Sequence, residues 1–99
     1  MKIIFIVPCF NAEKNLKKLS DSLIEQTNIN WSCVMIDDMS TDQTWDKICE
    51  LSKSDGRFAG IQNKEKKYAL RNIVEEARKY QDDESCVIAV IDGDDQLCN

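Results

Sequence analysis

The chain has 99 residues and a net charge of −5, from 18 acidic and 13 basic side chains. This length fits one small domain, and the acidic balance disfavours binding of nucleic acid through a basic surface. Histidine is absent, so the most common general base and the most common transition-metal ligand are both missing. The acidity instead favours a cation, or an anionic ligand that arrives with one.

The cysteines favour a protein of a reducing compartment. Their number is odd and no two form a Cys-x-x-Cys pair; they are Cys9, Cys33, Cys49, Cys86 and Cys98. Thiols within apolar, strand-like runs pack as small apolar side chains, so we expect reduced cysteines and a cytoplasmic protein. The apolar run at residues 3–7 is too short for a signal or membrane-spanning segment. No membrane segment is therefore expected in this chain.

The first strand and helix are predicted between residues 2 and 23. Residues 2–7 form a continuous apolar run that predicts a buried strand ending at Pro8. Asn11 is the predicted N-cap of the helix that follows. The apolar positions of this helix recur at helical spacing and are Ala12, Leu16, Leu19 and Leu23.

The second strand and helix follow the same pattern. Residues 32–36 predict a short strand that ends at Asp37-Asp38. Residues 40–43 read Ser-Thr-Asp-Gln, which fits a capping box with Ser40 as the cap. The helix after this box is expected to pack through Trp45, Ile48, Cys49 and Ser52.

The second half of the chain continues the alternation. Residues 57–62 predict a weaker third strand, and residues 68–80 predict a third helix with an apolar stripe. Residues 87–91 are apolar and mostly β-branched, without polar alternation, and predict a fourth strand buried on both faces. The order βαβαβαβ predicts an α/β fold of three layers, α/β/α, with a mainly parallel four-stranded sheet.

Three carboxylates follow the fourth strand, at Asp92, Asp94 and Asp95. Such a cluster is either solvated or built for magnesium or manganese, which prefer oxygen ligands. In a parallel sheet the carboxyl ends of all strands lie at one edge, where open α/β folds bind ligands, so Asp37-Asp38 converges with this cluster. The convergence favours a cation-assisted anion site. Neither a Rossmann glycine fingerprint nor a P-loop is present, so a metal held by Asp92 and Asp94 is the expected way to bind a diphosphate.

Four motifs occur in an order that covers essentially the whole chain. They are Val-Pro-x-Phe-Asn-x-Glu at residues 7–13, Ile-Asp-Asp-x-Ser-x-Asp-x-Thr at 36–44, Ala-x-Arg-Asn at 69–72 and Asp-Gly-Asp-Asp at 92–95. With this combination the chain resembles family 2 glycosyltransferases. The resemblance implies a Rossmann-like GT-A fold with strand order 3-2-1-4. It also implies the transfer of a sugar from a nucleotide-diphosphate donor, such as a UDP- or GDP-sugar, to an acceptor.

The resemblance implies roles for residues at the strand ends. Pro8, Phe10, Glu13 and Asp38 would line the nucleobase pocket, with Asp38 accepting a hydrogen bond from a base N–H. Arg71 would lie close to the donor; the alternative interpretation is that Arg71 is a solvated residue on the surface of its helix.

The D-x-D motif, Asp92-Gly93-Asp94, would bind the sugar-nucleotide and the metal. Asp92 would lie near the ribose and the metal, and Asp94 would hold the Mn²⁺ or Mg²⁺ ion that bridges the diphosphate. Relatives often have Asn-x-Gly after the third strand, where this chain has Asn63 followed by Lys64-Glu65-Lys66-Lys67. These lysines either form a solvated face or meet phosphate.

The resulting interpretation is a single domain at residues 1–99 that forms the donor-binding half of such an enzyme. The family's catalytic carboxylate would lie beyond Asn99, so no catalytic residue is nominated and the isolated chain is expected to be inactive. The exposed edge of the fourth strand predicts homo-oligomers.

Two alternatives stay open. The first is a non-catalytic nucleotide-binding or protein-interaction module of the same fold. The second is another acid-clustered α/β protein, such as a response-regulator receiver or a phosphatase of the haloacid dehalogenase type. Those proteins place their key aspartates after the first strand, where this chain has Pro8-Cys9-Phe10-Asn11.

Overall fold

The computed structural model describes residues 2–26 and 30–91. In this part of the chain four strands form a parallel sheet in the order β3-β2-β1-β4. The strands are β1 (Lys2–Cys9), β2 (Trp31–Asp37), β3 (Phe58–Gln62) and β4 (Cys86–Val90). The helices are α1 (Glu13–Ile24), α2 (Thr44–Ser54) and α3 (Tyr68–Ala77), and α3 continues into a 3₁₀ turn at Arg78–Tyr80. None of these helices is long and apolar enough to cross a membrane.

Helices cover both faces of the sheet because its central strands are apolar on both. Side chains at successive positions of β1 point to opposite faces. Val7 packs with the leucines of α1 and with Ile48 of α2. Ile6 packs on the other face, in a cluster with Ile73 of α3. The predicted α/β class, the three layers and the strand order are confirmed.

β1 runs two residues beyond its predicted end and includes Pro8. Residues of a parallel strand bond alternately to its two neighbours, and Cys9 O accepts from Asp38 N–H on the β2 side. Pro8 therefore occupies a position that faces β4, where the last β1–β4 pair is Ile6 with Val90. Because its missing N–H costs no bond to β2, the strand continues past the proline.

The predicted caps of α1 and α2 are wrong. Asn11 has a left-handed backbone, with φ 50°, and its Oδ1 accepts from Thr41 N–H at 2.8 Å. In return Asn11 N–H donates to Oγ of Ser40 at 2.9 Å. α2 begins at Thr44 without a side-chain cap hydrogen bond, so the box at 40–43 is not formed. These polar groups instead join the loops that follow β1 and β2.

The first N–H groups of α1 are satisfied by residues from the start of α2. Ala12 N–H donates to Thr44 Oγ1 at 2.8 Å, and Glu13 N–H donates to Asp42 Oδ2 at 3.4 Å. Thr44 is completely buried. The start of α1 is therefore stabilised by the start of α2, through tertiary contacts rather than by a cap of its own.

β4 is less buried than predicted. Val87 is 43% exposed and Val90 is 48% exposed, whereas Ile88 and Ala89 pack against the two core clusters. Among the described residues no strand pairs with the outer side of β4. The strand therefore lies at an edge of the described sheet, as predicted, and its exposed valines correct the prediction of burial on both faces.

Gly60 of β3 lies in close contact with α2. A Cβ at this position would lie 2.5 Å from Cγ2 of Ile48 and 3.2 Å from Cζ3 of Trp45. Ile48 is buried and β-branched, so it has little freedom to move away. We expect Gly60→Ala to lower the free energy of unfolding by about 1–3 kcal/mol, measured by urea denaturation.

Gly56, in the turn before β3, provides the matched control. A Cβ there would meet no atom within 4 Å, and the backbone φ of Gly56 is not positive. Gly56→Ala should therefore leave the free energy of unfolding unchanged or raise it by about 0.4–1 kcal/mol. Equal destabilisation by the two substitutions would contradict the close packing of Gly60.

Candidate functional site

The carboxyl edge of the sheet carries loops with strained backbone. Within the described residues, a positive φ at a non-glycine position occurs at Asn11 (50°), Met39 (62°) and Tyr68 (65°). The first two follow β1 and β2, and the third begins α3. A left-handed backbone is costly for a residue with a Cβ, and such positions cluster at functional sites. The strain therefore marks this edge as a candidate site.

A cavity of about 260 Å³ opens at this edge. Its volume lies slightly below the ~300–1,000 Å³ typical of small-molecule sites. The lining residues are Pro8, Cys9, Phe10, Asp38, Lys66, Tyr68, Ala69 and Asn72. The fold thus brings together three of the predicted base-pocket residues, Pro8, Phe10 and Asp38.

The Asp38 carboxylate is buried at the centre of these contacts, with 3% of the residue exposed. Its Oδ1 accepts from Lys67 N–H at 2.8 Å and from Asn63 Nδ2 at 3.0 Å. Its Oδ2 accepts from Tyr68 N–H at 2.8 Å and lies 3.3 Å from Nζ of Lys66. A buried charge is tolerated when it is paired and hydrogen-bonded in this way.

These contacts keep Asp38 ionised. Burial by itself raises the pKa of this carboxyl group, but the hydrogen bonds from Lys67, Asn63, Tyr68 and Lys66 outweigh it. The pKa of Asp38 falls from its usual 3.8 to about 2. At neutral pH the cavity wall therefore carries a fixed negative charge, which is also a strong hydrogen-bond acceptor.

Lys66 places a positive charge inside the same cavity. Its Nζ lies 3.2 Å from the centre of the Phe10 ring and 5.4 Å from the centre of the Tyr68 ring. The same ammonium donates to the backbone O of Asp38 at 3.2 Å. Both rings are exposed to solvent over much of their surface. The cavity thus combines an ammonium, a carboxylate and two aromatic rings.

Asn63 and Asn72 leave one buried donor unsatisfied. Asn63 Nδ2 donates to Asp38 and, at 2.7 Å, to Asn72 Oδ1. A carboxylate only accepts, so Asn63 must turn its nitrogen to Asp38, and this fixes the orientation of Asn72 as well. Asn72 is 2% exposed, and in the described part of the chain its Nδ2 has no hydrogen-bond partner. A buried donor of this kind is costly to the fold.

Two predicted site residues lie outside the cavity lining. Glu13 is the first residue of α1, and its backbone N–H faces Asp42. Arg71 lies on the surface of α3, with its side chain 55% exposed and paired with Glu75 at 3.0 Å. The predicted contacts of Glu13 and Arg71 with a donor stay predictions.

The predicted metal ligands Asp92 and Asp94, with Gly93 between them, lie outside the described residues. Within residues 2–26 and 30–91, no group of three Asp, Glu, Cys or His side chains could hold a metal ion. β4 does lead to the carboxyl edge, because Ile91 N–H donates to Ile6 O at 3.1 Å. The D-x-D motif follows Ile91 directly in the sequence.

The cavity also includes three residues to which the sequence motifs assign no role, Lys66, Tyr68 and Asn72. Asn72 belongs to the Ala-x-Arg-Asn motif, a signal that could have identified it. Lys66 and Lys67 are equivalent in the sequence, yet Lys66 meets Asp38 while Lys67 pairs with Glu75 at 3.0 Å. Which of the two lysine side chains reaches Asp38 depends on the path of the loop that joins β3 to α3.

Asp38 should make the stability of the protein depend on pH. A folded-state pKa lowered from 3.8 to about 2 stabilises the fold above pH 3.8, and this contribution is lost as the pH falls to about 2. We expect Asp38→Asn to lower the free energy of unfolding by about 2 kcal/mol at neutral pH. The difference from the wild type should shrink as the pH falls through this window, measured by urea denaturation at each pH.

Asp82→Asn is the control for this experiment, because this substitution removes the same charge at an exposed position. It should change the free energy of unfolding little at any pH. A difference between the wild type and Asp38→Asn that stays constant over the acidic window would contradict the lowered pKa of Asp38.

Comparison with known proteins identifies relatives in sequence. The family model described as Glycosyl transferase family 2 matches residues 4–97. Glycosyltransferase GlyA from Streptococcus pneumoniae serotype 4 is 41% identical over 61 residues, which cover 62% of this chain and 9% of that protein.

Solved structures share the fold. S. aureus TarS 1–349 in complex with UDP-GlcNAc matches with a TM-score of 0.75 and 30% identity, covering 97% of this chain and 27% of that chain. Mannosyltransferase PcManGT from Pyrobaculum calidifontis, in complex with GDP-Man and Mn²⁺, matches with a TM-score of 0.78 and 17% identity, covering 96% and 28% of the two chains. The chain therefore spans about a quarter or less of the length of these proteins. Since the family model covers nearly the whole sequence, the chain belongs to glycosyltransferase family 2.

Proposed function

We propose that this chain is the donor-binding domain of a glycosyltransferase that transfers a sugar from a UDP- or GDP-sugar to an acceptor. The observation that carries the proposal is the buried, ionised carboxylate of Asp38 in a cavity that also exposes the Phe10 ring. These groups provide a ring face for stacking and an acceptor for a ring N–H. Both are what a nucleobase requires of its pocket.

Uracil and guanine suit this pocket because each has a ring N–H beside a carbonyl. A charged acceptor such as Asp38 forms hydrogen bonds about twice as strong as a neutral one. Stacking of a base on an aromatic side chain such as Phe10 adds about 1–3 kcal/mol. Adenine and cytosine present a ring acceptor at the corresponding position, which would repel the carboxylate. The pocket therefore favours UDP- or GDP-sugars over adenine and cytosine nucleotides.

The relatives support the same class of ligand. TarS, which is 30% identical to this chain, was solved with UDP-GlcNAc. PcManGT, solved with GDP-Man and Mn²⁺, is only 17% identical and bears on the fold alone.

A divalent cation, Mn²⁺ or Mg²⁺, is the proposed cofactor, with Asp92 and Asp94 as its ligands and Gly93 in the same donor site. The support is the chemistry of the motif, since carboxylate oxygens are the ligands that these ions prefer. The path of β4 agrees, because Ile91 reaches the carboxyl edge on which the cavity opens. When bound, the ion would neutralise the diphosphate and assist its departure.

Transfer would also require a base that deprotonates the acceptor hydroxyl. We assign no residue of this chain to that role. The chain spans about a quarter of the TarS chain, and we expect residues 1–99 to bind the donor without completing a transfer. Acceptor recognition would then belong to another part of a longer protein.

Donor binding can be tested by calorimetry with UDP and GDP, with and without MnCl₂. We expect the wild type to bind one of the two nucleotides, and to bind it more tightly with Mn²⁺. Asp94→Asn should remove most of this metal-dependent gain, at least about tenfold in Kd, because it removes one ligand of the ion. Asp82→Asn removes the same charge at an exposed position and should bind like the wild type.

Each result has a defined meaning. Unchanged metal-dependent binding by Asp94→Asn would overturn the metal assignment. Absence of UDP and GDP binding by the wild type, with Mn²⁺ present, would overturn the proposed function and favour a protein-interaction module of the same fold.

The open edge of the sheet should support self-association. β4 has unpaired backbone groups on its outer side in the described part of the chain, and Val87 and Val90 are exposed there. Such an edge pairs readily with another strand. We expect a dimer or larger species by light scattering at high concentration, shifted to monomer by Val90→Lys. Val74→Lys, on the exposed face of α3, should leave the association unchanged, and a monodisperse wild-type monomer would contradict the prediction.

A further inference from the structure

The ammonium of Lys66 occupies the part of the cavity that a base would need. Its Nζ lies 3.2 Å from the centre of the Phe10 ring, over the ring face. The same atom lies 3.3 Å from Oδ2 of Asp38 and 3.2 Å from the backbone O of that residue. Lys66 is about 30% exposed at its side chain, so the ammonium is held partly inside the cavity.

These are the two groups that the proposed function assigns to the nucleobase. A cation so close to the centre of the Phe10 ring leaves no room for a second ring on that face. The ion pair with Oδ2, at 3.3 Å, is also the longest of the contacts of the Asp38 carboxylate. A base that stacks on Phe10 and donates to Asp38 must therefore displace Lys66 first.

Two features show that the observed arrangement is under strain. Tyr68, two residues after Lys66, has φ 65°, which is unfavourable for a residue with a Cβ. Asn72 Nδ2 is buried without a hydrogen-bond partner among the described residues. Both lie in the wall formed by residues 66–72. An alternative position of this segment that relieves either cost can therefore lie close in free energy.

We propose that Lys66 is an internal competitor of the nucleobase, held on Phe10 and Asp38 in the free protein and displaced when the donor binds. The inference rests on the proposed function and adds a residue that lowers the affinity of the pocket for the nucleobase. If the competitor occupies the pocket most of the time, the apparent dissociation constant equals the intrinsic one divided by the open fraction. Removing the ammonium should then tighten binding without adding any contact to the ligand.

The test compares Lys66→Met and Lys66→Gln with the wild type. Lys64→Met, at an exposed position of the same loop, is the matched control for the loss of one positive charge. Uridine and guanosine are the probes, because they carry no phosphate and the charge change cannot act on them directly. Titrations followed by ¹⁵N NMR give the dissociation constant and show in the same spectra that each variant is folded.

We expect both Lys66 variants to bind the preferred nucleoside roughly three- to tenfold more tightly than the wild type and Lys64→Met. Equal affinity in all four proteins would overturn the inference. Weaker binding by the Lys66 variants would also overturn it and would show that the ammonium contacts the base.

These outcomes differ from a failure of the proposed function. In that case the wild type would bind neither UDP nor GDP with Mn²⁺ present. If the wild type binds UDP or GDP and the Lys66 variants show no gain in nucleoside affinity, only the competitor is excluded.

Discussion

The carboxyl edge of the sheet depends on one residue, Asp38, whose carboxylate is buried and ionised. The backbone N–H of Asp38 continues the β1–β2 ladder by donating to Cys9 O. Its side chain accepts the first N–H groups of α3, from Lys67 and Tyr68, and the amide of Asn63 at the end of β3. One acidic residue, through its backbone N–H and its carboxylate, thus joins the ends of three strands and the start of a helix. A negative charge at a helix N-terminus is also favoured by the helix dipole.

This arrangement explains how a buried charged group can stabilise the fold and still line the cavity. Burying a carboxylate without partners would raise its pKa and favour the neutral form. The surrounding N–H donors reverse that effect and hold Asp38 ionised, so the acceptor is already charged and oriented before any ligand arrives. Oδ1 accepts two hydrogen bonds, from Lys67 N–H and Asn63 Nδ2. Oδ2 accepts one from Tyr68 N–H, and its second contact is with the long, flexible side chain of Lys66. The proposed donor site uses that side of the carboxylate.

Apolar runs and amphipathic spacing act locally, so the sequence was sufficient for the strands, the helices and the parallel sheet, whereas the strand order came from the family resemblance. The sequence was insufficient where a polar group had a choice of partners. Asn11 and Ser40 have side chains suited to helix caps, yet they bond to each other's loops across the sheet edge. The same holds for Lys66 and Lys67, whose different partners depend on a crossing loop. The position of β4 at the sheet edge was predicted, but its burial on both faces was not correct, since an apolar run does not reveal how far helices cover a strand.

The loop after β3 accounts for much of what is particular to this chain. Family relatives often have glycine in this loop, whereas residues 64–67 contain none. Tyr68, the first residue of α3, has a left-handed backbone, which is costlier for a residue with a Cβ than for glycine. The hydrogen bond from Tyr68 N–H to Asp38 offsets part of this cost, and the ammonium of Lys66 pairs with the same carboxylate oxygen. The carboxylate of Asp38 thus contacts both the start of α3 and the ammonium of Lys66 in the cavity.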